Sequence, residues 1–550
     1  MRADILRTYK IVHTWAGIVS GLALFIAFYA GALTVFKEPI ARWVTPPAAA
    51  PLATAMERAP ELIQAVLAAH PAAANDLLLH LQTNEQNPAR VSWTERAGKN
   101  GAGGGGGGHG AATTERRFRA GLNDDGSLRV EPVAPSALPD FLDTLHRVVG
   151  LPDDNDGNRA VMGVIACLYS LALVSGVIVL LPSLVKDFFA LRFGKNLKRM
   201  WLDVHNVLGI MSLPFHIVMA LTAVVFAFHD GIFEVQDRLV HGGRLESYWR
   251  GGTAPAAPAR ALADLMAPAQ LLASVANIAP AFEPRTLQFG QLRGPRPSVR
   301  VWGFDPQDIA RSSRGGFVSL DPYTGKVQSA DLLPGRQPAA AATLTSFFAL
   351  HFATFGGAAV RWIYFALGLV GAFLFYSGNL LWVESRRKTA RGAAHAPAQK
   401  RSARLLAALT VGVCTGCIGG ISFTMVMGRW LSGHVQDLPA WHVGAYYLVF
   451  FSAVGWAFAR GAARAGPELF HAAALFTALI PLTSLCAVLV PATRLWASSS
   501  GAALGVDVVA LLGALVLMLF GQAAARRART APTDSVWHAA SAQNPVLAGR

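Results

Sequence analysis

The residues best placed to carry chemistry are five histidines in apolar surroundings: His13, His146, His205, His216 and His351. Trp201 to His229 (WLDVHNVLGIMSLPFHIVMALTAVVFAFH) is long enough to cross a bilayer as one helix and holds two of them. His205 and His216 are eleven residues apart. That is close to three turns, so a continuous helix puts both rings on one face, ~16 Å apart. Ionisable side chains inside a membrane helix are costly and mark function. Two rings at two depths suit two stacked metal or haem centres. A b-type haem needs facing axial imidazoles in an apolar slot and no covalent motif. Zinc or copper is the competing reading, but zinc gathers ligands at short spacing, often with Cys or carboxylate. Only His146 and His205 have a carboxylate within a turn, Asp143 and Asp203, and neither has a second His or Cys there. The set therefore reads as haem axial ligands, with the pairing of the rings left open.

The elements that must position these rings are membrane helices. The 550-residue chain is 53% hydrophobic and 15% charged, with a mean hydropathy of +0.38. That is a membrane-protein balance. The formal charge of +15 does not point to nucleic acid, because many of the basic residues cluster at the ends of apolar runs, as the positive-inside bias predicts. Ile11 to Phe36 reads as a retained span, too long for a signal peptide and without a clear small-residue cleavage site.

The expected fold is mainly α and polytopic, with eight transmembrane helices and two periplasmic α+β domains. Residues 1–37 hold the first span and 38–138 the first periplasmic domain. Residues 139–182 hold the His146 segment and second span, followed by a cytoplasmic loop at 183–200. The third span is 201–229, the second periplasmic domain 230–342, and the His351 segment with the fourth span 343–384. A loop at 385–404 leads to four more spans in 405–524 and a tail at 525–550. The basic loops and tail all fall on the cytoplasmic side if the first span starts there, so both termini are expected inside.

Within the soluble segments, ELIQAVLAAHP and Ala261 to Ala276 read as helices. LLLHLQT, FRAGL, Ser298 to Gly303 and Gly316 to Leu320 read as strands. Turns are expected at Asn123 to Gly126 and in Asp321-Pro322-Tyr323-Thr324-Gly325. The glycine run Gly101 to Gly110, with His109, follows no dinucleotide-binding strand and reads as an insertion. The four cysteines lie in apolar runs, so no disulfide framework is expected; Cys414-Thr-Gly-Cys417 reads as small packing residues.

The first four spans repeat internally. His13-Thr-Trp-Ala-Gly17-Ile18 opens the first and His205-Asn-Val-Leu-Gly209-Ile210 the third. Leu145-His146 precedes the second and Leu350-His351 the fourth; these spans carry Ser175-Gly176 and Ser377-Gly378. This is a parallel repeat about an axis near the membrane normal. It sorts His13 and His205 to the cytoplasmic side and His146 and His351 to the periplasmic side. His216 is extra, since Leu24 stands at the matching place. Gly17, Gly31, Gly176 and Gly209 allow close helix approach or leave room for a flat macrocycle. Arg147, Arg159 and Arg361, near the outer boundary, are candidates to pair with haem propionates.

These motifs resemble the PepSY-associated transmembrane proteins: H-x-x-x-G opening the first and third spans, L-H-R before the second, and L-H-F-x-x-F-G-G before the fourth. The external SLDPYTGKV is similar to the closing hairpin of a PepSY domain. Asp203-Val-His205-Asn-Val-Leu-Gly209 with Pro214-Phe215-His216 resembles the branch that reduces ferric siderophores at the bacterial inner membrane, which implies two b haems held by His13, His146, His205, His216 and His351. The resemblance covers roughly residues 1 to 388. It implies an oxidoreductase whose substrate is a periplasmic ferric siderophore and whose electron donor is quinol or a cytoplasmic reductase. No separate catalytic side chain is expected, because the chemistry belongs to the cofactor. The rival readings are a non-enzymatic protein that binds periplasmic partners through its external domains, and a transporter for iron chelates.

Overall fold

The computed structural model describes residues 3–47, 52, 54–85, 87–97, 114–185, 197–243, 260–308, 315–387, 399–498 and 500–539. The glycine run with His109, and the basic stretches 186–196 and 388–398, lie outside the described residues.

In chain order the helices are α1 (Ala3–Thr34), α2 (Lys37–Val44), α3 (Ala59–Ala69), α4 (Leu138–Arg147) and α5 (Asp156–Leu180). Then come α6 (Leu197–Met211), α7 (Leu213–Ala227), α8 (His229–Gln236), α9 (Pro268–Ile278), α10 (Ala339–Phe352) and α11 (Gly357–Ser385). The last are α12 (Arg401–Trp430), α13 (Leu438–Arg460), α14 (Ala462–Leu489) and α15 (Gly501–Thr530). Among the described residues, seven helices are long and apolar enough to cross a membrane, and the bent pair α6 and α7 makes an eighth if counted as one span.

That pair corrects the expectation of a straight third span. α6 and α7 meet at a bend of 70°. Pro214 has no amide hydrogen for the helix ladder, and Ser212 turns its hydroxyl back to the Leu208 carbonyl at 2.6 Å. His205 and His216 therefore stand on two helices, and the spacing drawn for one continuous face does not apply.

The chain divides into two compact units. The first comprises Met1–Pro46, Ser136–Phe228 and Tyr364–Arg550. α12 is its most buried helix. Gly412, Gly416 and Gly420 let α13 close on it: a Cβ at Gly412 would stand 2.7 Å from Val454 Cα. α15 packs small residues inward (Ala503, Ala510, Ala514, Gly521) and leaves Leu504, Leu511, Leu515 and Leu519 exposed. Large apolar side chains outside and small ones inside is the arrangement of a helix whose solvent is lipid. The short helix α4 is held in this unit by Leu138, Phe141, Leu142 and Leu145, which share a core with Cys417, Ile421, Met425 and Tyr446 of α12 and α13.

The second unit is Pro47–Pro135 with His229–Ile363. Its eight strands form one antiparallel sheet in the order β4-β3-β2-β1-β5-β6-β7-β8. The strands are β1 (Asp76–His80), β2 (Val91–Ala97), β3 (Thr114–Leu122), β4 (Leu128–Val133), β5 (Glu283–Gly290), β6 (Ser298–Phe304), β7 (Gly316–Leu320) and β8 (Val327–Ser329). The two soluble segments, expected as separate periplasmic domains, thus join through β1 and β5, with Leu77 opposite Phe289 and Leu79 opposite Leu287. A single core takes Leu77, Leu79, Leu287 and Phe289 with Leu62 and Val66 of α3 and Leu271 and Val275 of α9. Each such large side chain contributes roughly 1.5–3 kcal/mol by leaving water. Burying the seam between the segments is the reason they merge. The expected turn at Asp321 is present: its carboxylate accepts from the amides of Tyr323 and Thr324 at 2.8 and 3.0 Å, and Gly325 takes φ +67°.

Candidate functional site

His13 projects from α1 onto α5. Its Nδ1 donates to the Ala172 carbonyl at 2.8 Å, and a Cβ at Gly176 would stand 2.9 Å from the ring. His146 of α4 repeats this on α1: Nδ1 donates to the Ala27 carbonyl at 2.8 Å, and a Cβ at Gly31 would stand 2.6 Å from Nδ1. In both cases carbonyl and glycine lie four residues apart, so one bare turn of the receiving helix forms a seat for the imidazole. His205 of α6 lies on α11 against Leu374 and Gly378, again four apart. This seat is looser: a Cβ at Gly378 would stand 3.3 Å from Cε1, and Nδ1 falls short of a full hydrogen bond although the Leu374 backbone is within electrostatic reach.

A carbonyl only accepts. Nδ1 therefore carries the proton in His13 and His146, and Nε2 carries the lone pair of the neutral ring. That is the tautomer in which histidine ligates metal through Nε2 while its other nitrogen is oriented by a second group. The rings of His13 and His205 lie 6.1 Å apart at an interplanar angle of 66°. Two imidazoles sharing one iron, each about 2 Å from it, place their centres on the order of 6 Å apart. The donor set and its spacing fit an axial pair.

His216 is 1% exposed. Its Nδ1 meets the Tyr169 hydroxyl of α5, and its Nε2 is buried without a hydrogen-bond partner among the described residues. Phe28, Phe215 and Phe375 surround it at 5.5, 5.7 and 6.3 Å between ring centres. A Cβ at Gly371 would reach its Cε1 at 3.2 Å. A buried ring nitrogen in an aromatic cage needs a partner, and a metal ion is one chemistry that supplies it.

Among the described residues no group of three or more His, Cys, Asp or Glu is arranged to hold a metal ion. The chain belongs to the PepSY-associated transmembrane family. The family model, described as PepSY-associated TM region, matches residues 11–385. A search of curated proteins gave no match. The family region ends with α11, and α12 to α15 lie beyond it.

The remaining expected site residues have other surroundings. His351 lies in the second unit near the end of α10, edge-on to Phe352 at 5.3 Å. Arg361, also in that unit, is exposed. Arg147 and Arg159 both bind Asp154, at 2.6 and 2.7 Å, so this carboxylate bridges the two guanidinium groups proposed for propionates. At the start of α4, Lys37 contacts Asp140 and Asp143 at 2.8 and 3.2 Å. Burial alone would lower the pKa of this ammonium, but the paired carboxylates raise it, tying α2 to α4.

Sequence reasoning named Gly31 and Gly176 correctly as places of close approach. Gly17, named with them, has nothing within 4 Å of its Cβ position, and Gly209 only Leu374 at 3.9 Å. It missed Tyr169 and Gly371. The signal for Tyr169 was a phenol alone in the apolar run of α5; the seating carbonyls of Ala27 and Ala172 have no side-chain signal at all.

Proposed function

We propose that this multi-pass membrane protein is a b-type di-haem reductase of the bacterial inner membrane. It moves electrons across the bilayer to reduce a periplasmic ferric siderophore and release Fe(II). Both termini are cytoplasmic in this reading, and the donor is quinol or a cytoplasmic reductase. The observation that carries it is the seating of His13, whose Nδ1–H is held by the Ala172 carbonyl at 2.8 Å and whose ring centre lies 6.1 Å from that of His205 on another helix.

Haem b, when bound, supplies one-electron transfer at iron. The chain's own residues hold and orient it. His13 and His205 supply one pair of imidazoles across α1 and α6. His146 and His216 offer further imidazoles, and His351 is a fifth. The bare turns at Gly31 and Gly176 fix ring orientation, and Phe28, Phe215 and Phe375 keep water from His216. The iron of the siderophore is substrate: one electron converts Fe(III) to Fe(II), which oxygen donors bind far less strongly.

The test is spectroscopic and then chemical. Protein purified after haem-replete expression is expected to show a Soret band and sharp α and β bands after dithionite. Reduced anaerobically, it is expected to turn over a ferric hydroxamate or catecholate, with Fe(II) trapped by a chromogenic chelator. His13→Ala and His205→Ala should each remove the same haem. A preparation without a Soret band overturns the reading.

A further inference from the structure

Four of the five histidines expected as ligands lie in the helical unit, and one of the four is held differently. His13 and His146 rest their Nδ1 on backbone carbonyls, and His205 lies toward one. His216 instead meets a side chain, the Tyr169 hydroxyl. That hydroxyl also reaches the His216 backbone carbonyl at 3.2 Å. Both groups are fully within the unit: Tyr169 is 5% exposed and His216 1%.

The proton inventory is limited. A phenol has one hydrogen and can also accept. The His216 carbonyl can only accept, so a bond there uses the phenol's hydrogen. The phenol oxygen is then left to receive Nδ1–H from the imidazole. This assignment satisfies both contacts at once. The reverse, with the phenol donating to Nδ1, satisfies one of them and leaves an Nε2–H pointing into phenylalanine. Burying an unpaired donor in such a place costs about 1–3 kcal/mol. The first assignment makes Nε2 a lone pair buried in an aromatic cage, which is how a metal ligand is presented.

We propose that Tyr169 is a positioning residue for His216: its hydroxyl accepts Nδ1–H and donates to the His216 carbonyl, fixing the ring so that Nε2 is a haem ligand. The proposal rests on the di-haem reading and adds a role for a residue outside the histidine set. It also answers what the repeat left open. His216 has no counterpart in the first half, where Leu24 stands, and among the described residues its ring nitrogens meet no helix carbonyl. A side-chain partner is what an added histidine needs when the inherited seats are taken.

The experiment uses the full-length, haem-loaded protein. Tyr169→Phe keeps the ring that packs on Phe28 and Phe375 at 5.7 and 5.9 Å and removes only the hydroxyl. Loss of such an orienting partner weakens metal binding by roughly ten- to a hundred-fold. The expected result is that haem titration finds one of the two sites weakened by that factor, with its low-spin EPR signal and midpoint potential moved and the other site unmoved. In a His216→Ala background, Tyr169→Phe is expected to add nothing, because the residue acts through the missing ring. Leu24→Ala opens the same packing cluster around Tyr169 without touching the hydroxyl, and is expected to leave both EPR signals in place. Tyr169→Phe protein that binds both haems with wild-type affinity and potentials overturns the role of Tyr169 alone. So does a Leu24→Ala protein that reproduces the loss. Wild-type protein that takes up no haem overturns the di-haem reading itself.

Discussion

Histidines lie on glycines in two regions of the helical unit, and the two regions use them differently. In the family region, His13 lies on Gly176 and His146 on Gly31, each with a carbonyl one turn earlier receiving Nδ1. In the C-terminal helices, His442 lies on Gly428 and His471 on Gly521, with Cβ positions 2.8 and 2.7 Å from the rings. His442 is 1% exposed, and neither of its ring nitrogens has a hydrogen-bond partner among the described residues. A glycine alone gives an imidazole room. A glycine with a carbonyl four residues before it gives the ring a direction. Among the described residues, His13 and His146 of the first region have Nδ1 fixed by such a carbonyl, and His442 of the second has neither ring nitrogen fixed.

The sharpest way to break this contrast is to fill the space under both kinds of ring. Gly31→Ala and Gly176→Ala would drive a methyl group to 2.6 and 2.9 Å from His146 and His13. Overpacking of this kind costs about 1–3 kcal/mol, and the ring must leave its seat. Each variant is expected to lose one haem, or to bind it at least ten-fold more weakly. Gly428→Ala places its methyl group equally close to His442. It is expected to lower thermal stability by a similar amount while leaving the Soret and α bands of the remaining folded protein unchanged. Haem loss in Gly428→Ala would erase the distinction between the two regions.

A smaller effect is expected at the third seat. Gly378→Ala meets His205 at 3.3 Å, a distance a neighbour can relieve by a few tenths of an ångström. The protein should keep both haems and show a shifted EPR signal for the centre shared by His13 and His205. Complete haem loss in Gly378→Ala would show that this seat is as tight as the other two.

These expectations rest on features that were unequally legible in the sequence. The repeat was readable because paired motifs, His13 with Gly17 and His205 with Gly209, are local strings. The mainly helical membrane fold was readable from apolar length. The break at Ser212 was not weighted, because an apolar run conceals a single proline at its centre. The merging of two soluble segments into one sheet depends on β1 pairing with β5, more than two hundred residues away, and no local pattern encodes that pairing. The seats for His13 and His146 depend on backbone carbonyls of two alanines, whose side chains say nothing. Tyr169 could have been noticed as a polar group in an apolar helix, but its partner is fixed only by how α5 and α7 pack.

The smallest expected effect concerns how the C-terminal helices are joined to the family region. Just past the end of α11, Arg387 grips Asp534 of the segment after α15 through two hydrogen bonds of 2.7 Å. Nearby, Arg527 binds Glu384 at 2.5 Å and covers buried Trp537 at 4.4 Å. The hydrogen bonds from Arg387 hold the Asp534 carboxyl below the usual range, more than burial raises it. A carboxyl whose folded pKa lies below the value of about 3.9 in an unfolded chain contributes stability that is present at neutral pH. That contribution is lost only as the pH falls below about 4 and through the folded value. Arg387→Gln is expected to remove about 1 kcal/mol of local stability at neutral pH. Hydrogen exchange of the amides from Asp534 to His538 should then quicken several-fold at pH 7, and the gap between variant and wild type should narrow progressively as the pH falls below about 4. The haem spectrum should not move in either protein, because this latch holds the region whose histidines are merely accommodated. A gap that stays undiminished as the pH is lowered from 7 until the carboxyl is protonated would show that the ion pair is not what holds the segment down.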